Sequence, residues 1–277
     1  MLRGAIGSDG DNLVSNCVVK IISFNANGIR SAARKGFFEW LATQKADMVC
    51  IQETKAQHEQ LHPDPLYFPE GYDCEYVDAV KKGYSGVALF SRVKPLSVVS
   101  KLGFDISDEE GRYVQFDYPH LSVVSLYLPS GTSGDVRQVV KYDFLERFGK
   151  HLMQLKALGK ALIICGDLNI AHHPIDIKNW RGNQKHSGFL PEERAWLDQL
   201  FGPMGFVDAF RLRNKEANEY TWWSNRGQAR ANNVGWRIDY QVITPDLAES
   251  VGAVSIYREQ FFSDHAPLII EYEGIHV

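Results

Sequence analysis

Apolar runs that stop at an acid or an amide limit the fold of this chain more than any other feature. Ala161-Leu162-Ile163-Ile164-Cys165 leads into Gly166-Asp167-Leu168-Asn169. Asp47-Met48-Val49-Cys50-Ile51 leads into Gln52-Glu53. Near the C-terminus, Ser263-Asp264-His265-Ala266-Pro267 sets a carboxylate beside an imidazole. Short apolar runs of this kind read as buried strands, and the groups at their ends fall on a rim. Residues i and i+2 leave a strand end on the same side, so Asp167 and Asn169 can face one site.

The remaining sequence predicts more of the same. Residues 17–25 form a first strand around Val-Val-Lys-Ile-Ile, and residues 29–44 have helical spacing, with Phe37, Trp40 and Leu41 on one face. Residues 47–52, 84–91, 113–118, 121–128, 161–166, 220–224, 237–244 and 267–272 predict further strands. Residues 136–158 predict a long amphipathic helix, and 191–200 a helix with proline in its first turn. Segments 130–134 and 172–188 read as loops. Many strands, few helices and no shift of composition imply one α/β domain over residues 17–277. The strands carry apolar residues on both faces. Two packed, mainly antiparallel or mixed β-sheets with helices outside, a four-layer α/β sandwich, would bury them. Residues 1–16 are polar and lack the apolar stretch of a signal peptide, so they read as a flexible N-terminal tail.

Charge and cysteine usage narrow the class. The 277 residues carry 30 basic and 34 acidic side chains, a net charge of −4. That excludes a bulk basic nucleic-acid binder; any DNA contact must come from a local face. Cys17, Cys50, Cys74 and Cys165 form no CxxC pair, which suits a reducing, cytoplasmic setting better than a disulfide framework. No apolar run approaches the length of a membrane span.

The rim residues match the needs of metal-assisted attack on a phosphate. A hard cation needs carboxylate oxygens, and Glu53 is the best candidate. Asp167 and Asn169 suit the orientation and deprotonation of water. His265, Tyr127 and Asn25 could donate to phosphate oxygens, and Asp239 could hold the imidazole. Each residue alone has a plainer reading, as a turn residue, a cap or a solvated acid. The loop Lys178-Asn179-Trp180-Arg181-Gly182-Asn183-Gln184-Lys185-His186 is basic and amide-rich, as a phosphate-contacting loop or a merely solvated one would be. Trp222, Trp223 and Trp236 fit the core or the wall of a sugar pocket, and core is the better reading for an isolated Trp. Lys81, Lys82, Tyr84 and Arg112 are weaker phosphate candidates. His172-His173 reads as loop structure rather than a metal site, because a hard cation prefers oxygen.

Eight segments in order resemble the exonuclease III family of apurinic/apyrimidinic (AP) endonucleases. They are Ser23–Arg30, Ile51–Lys55, Tyr84–Val87, Leu126–Pro129, Gly166–Ala171, Tyr220–Trp223, Trp236–Tyr240 and Ser263–Pro267. The resemblance implies a DNase I-like sandwich with the site at one edge. It implies a Mg²⁺-dependent enzyme, with Mn²⁺ as the alternative, that cleaves DNA 5′ to an abasic site and leaves a 3′-hydroxyl. It also implies 3′-phosphodiesterase and 3′–5′ exonuclease side activities. The implied partner is double-stranded DNA with abasic sites or blocked 3′ ends, met by a monomer. The resemblance casts Glu53, Asn27 and Asp264 on the metal side. It casts Asp167 as water activator, Asn169 as its aid, His265 with Asp239 on the phosphate, and Tyr127 and Asn25 as further phosphate contacts. Arg30, Arg137, Asn179, Arg181, Asn183, Lys185, His186, Arg230 and Asn233 would meet DNA, while Trp222, Trp236 and Ile238 would line the sugar pocket. Asn27 stands where some members have Asp, which favours one metal over two. Ser130 and His186 replace asparagines. Trp222 should narrow the pocket and weaken admission of a normal 3′ nucleotide.

Two other readings share this machinery. One is an enzyme devoted mainly to 3′ ends; the other is a lipid or inositol phosphodiesterase. The latter should show an apolar docking loop, and none is evident. A catalytically dead DNA-binding module should have lost Asp167, Asn169, Asp239 or His265, yet all four are present.

Overall fold

The computed structural model describes residues 17–277, so the tail expected over residues 1–16 lies outside the described residues. Strands β1 (Val18–Asn25), β2 (Met48–Gln52), β3 (Asp73–Val77) and β4 (Val87–Ser91) come first. They are followed by β5 (Ser97–Val99), β6 (Tyr113–Asp117), β7 (Leu121–Tyr127), β8 (Ala161–Asp167) and β9 (Val207–Asp208). β10 (Trp222–Trp223), β11 (Gly235–Trp236), β12 (Asp239–Ile243), β13 (Val251–Ile256) and β14 (Leu268–Glu273) complete the set. Two six-stranded sheets result, in the orders β13-β14-β1-β2-β4-β3 and β5-β6-β7-β8-β12-β9, with β10-β11 as a separate pair. Each sheet is mixed. Its one parallel pair is central, β1 with β2 and β7 with β8.

Period-2 alternation places apolar side chains on both faces of these central strands. Ile21, Cys50 and Leu89 of the first sheet meet Val123, Ile163 and Cys165 of the second in a shared core. On the outer face of the first sheet, Ile22, Val49 and Ile51 pack on Ile29, Phe37 and Leu41, from helices Ile29–Arg34 and Phe37–Gln44. On the outer face of the second, Val124, Leu126 and Ile164 pack on Phe144, Phe148 and Leu152 of helix Asp135–Ala157, and on Leu197 of helix Pro191–Phe201. The order is helix, sheet, sheet, helix, as the composition of the strands predicts. Each fully buried aliphatic side chain contributes roughly 1.5–3 kcal/mol. Polar bonds also pin the sheets together. Gln52 Nε2 donates to Ser125 Oγ at 3.1 Å, and Gln241 Nε2 donates to the Ile21 carbonyl at 3.0 Å.

Three expectations change, and the first is that the loop expected over residues 172–188 carries short helical turns at Pro174–Asp176 and Trp180–Asn183. The single helix over residues 29–44 is two helices, because Gly36 takes the left-handed region at φ 88° and turns the chain between them. Strands β3, β5, β9, β11 and β13 were not predicted; the first three and β13 are edges of the six-stranded sheets, and β11 belongs to the two-stranded pair. An edge strand buries less, so its sequence need not be an apolar run.

Candidate active site

The parallel pairs of both sheets end at the same rim. Asn25 at the end of β1 is level with Gln52 of β2, and Tyr127 at the end of β7 is level with Asp167 of β8. Asp239, which opens β12, pairs with Asp167 from the other side. Just past these ends the chain turns sharply. Asn27, Glu53, Lys55 and Asn169 have φ values of 42°, 50°, 49° and 52°. Left-handed backbone at a non-glycine residue costs about 1–3 kcal/mol, and strain of this kind gathers at functional sites. Here it swings the side chains into a cavity of about 820 Å³, lined by Glu53, Tyr127, Asp167, Asn169, Asp264 and His265 among others.

The hydrogen bonds fix how each group is presented. His265 Nδ1 lies 2.8 Å from Asp239 Oδ2, which leaves Nε2 toward Asp167 Oδ2 at 3.8 Å. The Asn169 amide N–H donates to Asp167 Oδ1 at 2.8 Å, and its side-chain Nδ2 donates to the Leu128 carbonyl at 2.8 Å. Asn169 Oδ1 therefore remains to accept from a water. Asp167 and Asn169 do meet, through a left-handed turn rather than by strand alternation. Asn25 is fully buried, and its Nδ2 donates to Glu53 Oε1 at 2.9 Å and to Asp167 Oδ2 at 2.8 Å. Both amide protons are used, so Asn25 ties two carboxylates together.

Burial and charge set the protonation states. Burial pulls the His265 pKa down, but Asp239, with Asp167 and Asp264 behind it, raises it to about 10. The ring is therefore an imidazolium at neutral pH. Burial and the Asp239 charge push the Asp167 carboxyl above its ordinary range, with the imidazolium opposing. For Glu53 burial acts upward, yet the Lys55 ammonium outweighs it and the carboxyl titrates low. Burial and the Glu53 charge hold the Tyr127 phenol well above its usual value, so it stays a neutral donor.

The donor set suits a hard cation. Glu53, Asp167 and His265 offer ligand-capable atoms within 4.8 Å of one another, and the imidazolium has no lone pair to give, so the useful donors are oxygens. Lys55 Nζ sits 2.8 Å from Glu53 Oε2 and also donates to Asn27 Oδ1. An ammonium between those oxygens marks a place where positive charge is stabilised. Asp264 is engaged differently, since its oxygens accept from Asn27 Nδ2 at 2.9 Å and Trp222 Nε1 at 3.0 Å.

Trp222 and Trp236 meet edge to face at 6.1 Å and, with Ile238, form one wall of the cavity. Trp223 does not; it is buried with Tyr220 and Ala266. Asn183, His186 and Arg137 also line the cavity, as do Tyr84 and Arg112. Arg30, Asn179, Arg181 and Lys185 are exposed outside it. Arg230 stacks on Trp223 and Phe261, while Asn233 Oδ1 accepts from Trp223 Nε1 at 3.0 Å and so serves the fold. Lys55 and Arg226 line the cavity without having been singled out from the sequence. Adjacency to Glu53 was the available signal for Lys55; Arg226 had none.

His172, His173 and Asp198 form a second group of potential ligands. The two rings stack at 3.6 Å with an interplanar angle of 27°, and His172 Nε2 lies 2.7 Å from Asp198 Oδ1. Lone pairs lie in the ring plane, so near-parallel stacked rings cannot both aim at one ion.

The model of the endonuclease/exonuclease/phosphatase family matches residues 22–265, from β1 to the imidazole of the site. The chain belongs to that family. As a member, it is 38% identical over 252 residues to an exodeoxyribonuclease of Bacillus subtilis, covering 90% of this chain and 98% of that one. It is 38% identical over 255 residues to the DNA repair nuclease APEX1 of Danio rerio, covering 91% and 81%. Its fold superimposes on an AP endonuclease from Archaeoglobus fulgidus with a TM-score of 0.84 at 29% identity, covering 92% and 99%.

Proposed function

We propose that this family member is a DNA repair phosphodiesterase that hydrolyses the backbone 5′ to abasic sites and leaves a 3′-hydroxyl. One observation carries the reading. The Asp167, Asn169 and His265–Asp239 constellation opens onto the same cavity as the Trp222, Trp236 and Ile238 wall. The names of the relatives point the same way.

In this reading Asp167 takes a proton from the attacking water, whose position is set by Asn169 Oδ1. The His265 imidazolium and the Tyr127 hydroxyl donate to phosphate oxygens as charge grows there. Asp239 keeps the ring oriented and charged. Glu53, with Asn27, would hold the cation, for which Mg²⁺ is the proposed identity; bound there it supplies positive charge to the phosphate. Asp264 acts as a positioning residue for Asn27 and Trp222. The aromatic wall receives an extrahelical sugar. A nucleotide without a base is the cheapest to extrude and the smallest to accommodate.

The test uses a duplex with one abasic-site analogue and a matched duplex ending in a 3′-phosphate, each with Mg²⁺ and with EDTA. Metal-dependent incision 5′ to the abasic site is expected. Activity confined to 3′ ends would replace this reading with a 3′-processing enzyme. No cleavage of either would redirect it to a small or lipid phosphodiester.

A further inference from the structure

Behind the cavity lies an ion pair that the proposed chemistry does not use. Lys141, on helix Asp135–Ala157, and Glu193, on helix Pro191–Phe201, are both 0% exposed, with Nζ 2.6 Å from Oε1. Burying two charges costs several kcal/mol per ion, and a well-packed apolar pair is often as stable. Core stability alone therefore explains this pair poorly. Apart from a bond from Gln138 Nε2 to Glu193 Oε1 at 3.0 Å, its other hydrogen bonds lead to the site. Lys141 Nζ donates to the Asn169 carbonyl at 2.9 Å. Glu193 Oε2 accepts from the amides of Gly188 at 2.6 Å and Leu190 at 3.1 Å, and Oε1 accepts from Ser187 Oγ at 3.1 Å.

Both segments need such a hold. Asn169 is left-handed, and only a fixed main chain keeps its side chain beside Asp167. Gly188, at φ 96°, has no room for a Cβ, which would lie 2.9 Å from the Trp236 ring and 3.3 Å from the Asn169 carbonyl oxygen. The Ala171 amide closes the circuit by donating to the Gly188 carbonyl at 2.8 Å. One buried pair thus spans the water-positioning turn and the segment behind the aromatic wall.

We propose that Lys141 and Glu193 are positioning residues that set the Asn169 turn against the 187–190 segment, and so couple the wall to the turn that holds the water. This inference rests on the role given to Asn169 above. The test is steady-state kinetics on whichever duplex the wild type cleaves. Lys141→Met/Glu193→Gln keeps an acceptor for the Gly188 and Leu190 amides but releases the Asn169 carbonyl. It should lower kcat by roughly 10–100-fold, the usual range for an outer-shell partner, with KM changed by less than about threefold. In an Asn169→Ala background the same double substitution should have almost no further effect on kcat. A thermal melt confirms folding. If that double variant is too unstable, Lys141→Gln/Glu193→Gln, which leaves no unpaired charge, should give a smaller kcat loss that also vanishes in that background.

A folded variant with wild-type kcat would overturn the positioning role. So would an equal kcat loss with and without the Asn169 side chain, which would mean a purely structural pair. Wild-type activity of Asn169→Ala itself would instead remove the role of Asn169, and with it this inference. The two failures are thereby separated.

Discussion

Asp167 is held by three neighbours at the rim. The Asn25 amide, the Asn169 main chain and the His265 ring all meet it, in a site where burial and Asp239 push its carboxyl up. Asp167→Asn keeps the shape and removes the base. It is expected to lower kcat by at least roughly 10²–10⁴-fold, measured on the abasic duplex; near-normal turnover would discard Asp167 as the base. Glu53→Ala should raise the Mg²⁺ concentration needed for half-maximal rate, and an unchanged metal titration would remove Glu53 as ligand. Asp239→Asn leaves the imidazole without its anionic partner. Loss of an outer-shell partner costs roughly 10–100-fold in activity, so kcat should fall within that range.

At the scale of elements, the turn between β11 and β12 is tied to β9 by a buried charge network just outside the catalytic groups. Arg237 alternates with Trp236 and Ile238, so its side chain points away from the cavity wall. Its Nε lies 2.8 Å from Asp176 Oδ1 and its Nη2 2.7 Å from Asp208 Oδ2, and Arg211 joins Asp176 at 2.6 Å. Burial pushes the Asp176 carboxyl up, but Arg237 and Arg211 outweigh it and hold it well below the ordinary range. A carboxyl depressed in the folded state adds stability that is complete above its unfolded pKa, about 4, and is lost as pH falls toward the folded value. Asp176→Asn should therefore destabilise the protein by about 3 kcal/mol at pH 7, and the difference from wild type should shrink below about pH 4. Urea unfolding at a series of pH values checks this. A difference that stays constant down to pH 3 would show that Asp176 is not the titrating group.

For the whole molecule, the decisive feature is that the two sheets share one core. Ile21 and Cys50 cannot be exposed without exposing Val123 and Ile163, so neither sheet keeps its buried face alone. Residues 17–277 are expected to unfold as one cooperative unit, with circular dichroism and tryptophan fluorescence giving coincident transitions. Two separated transitions would mean that the sheets are independent.

The central strands were legible in the sequence because both of their faces are buried, and β2 and β8 are therefore continuous apolar runs. Four edge strands were not, because partial burial leaves mixed sequences such as Asp73–Val77. Glu53, Asp167, Asp239 and His265 were legible as candidates through their joint occurrence near strand ends, since each alone has a plainer reading. The sequence by itself determined the residue types on the rim and, through the order of its motifs, the family. Only the tertiary structure decided that Asn25 bridges two acids, that Trp223 turns inward while Trp222 and Trp236 line the cavity, and that Lys141 and Glu193 meet behind Asn169. Asn25 reaches Glu53 and Asp167 across 28 and 142 residues, and Lys141 reaches Glu193 across 52. Local pattern reports whether a residue is buried; which distant group it meets there depends on how the two sheets pack.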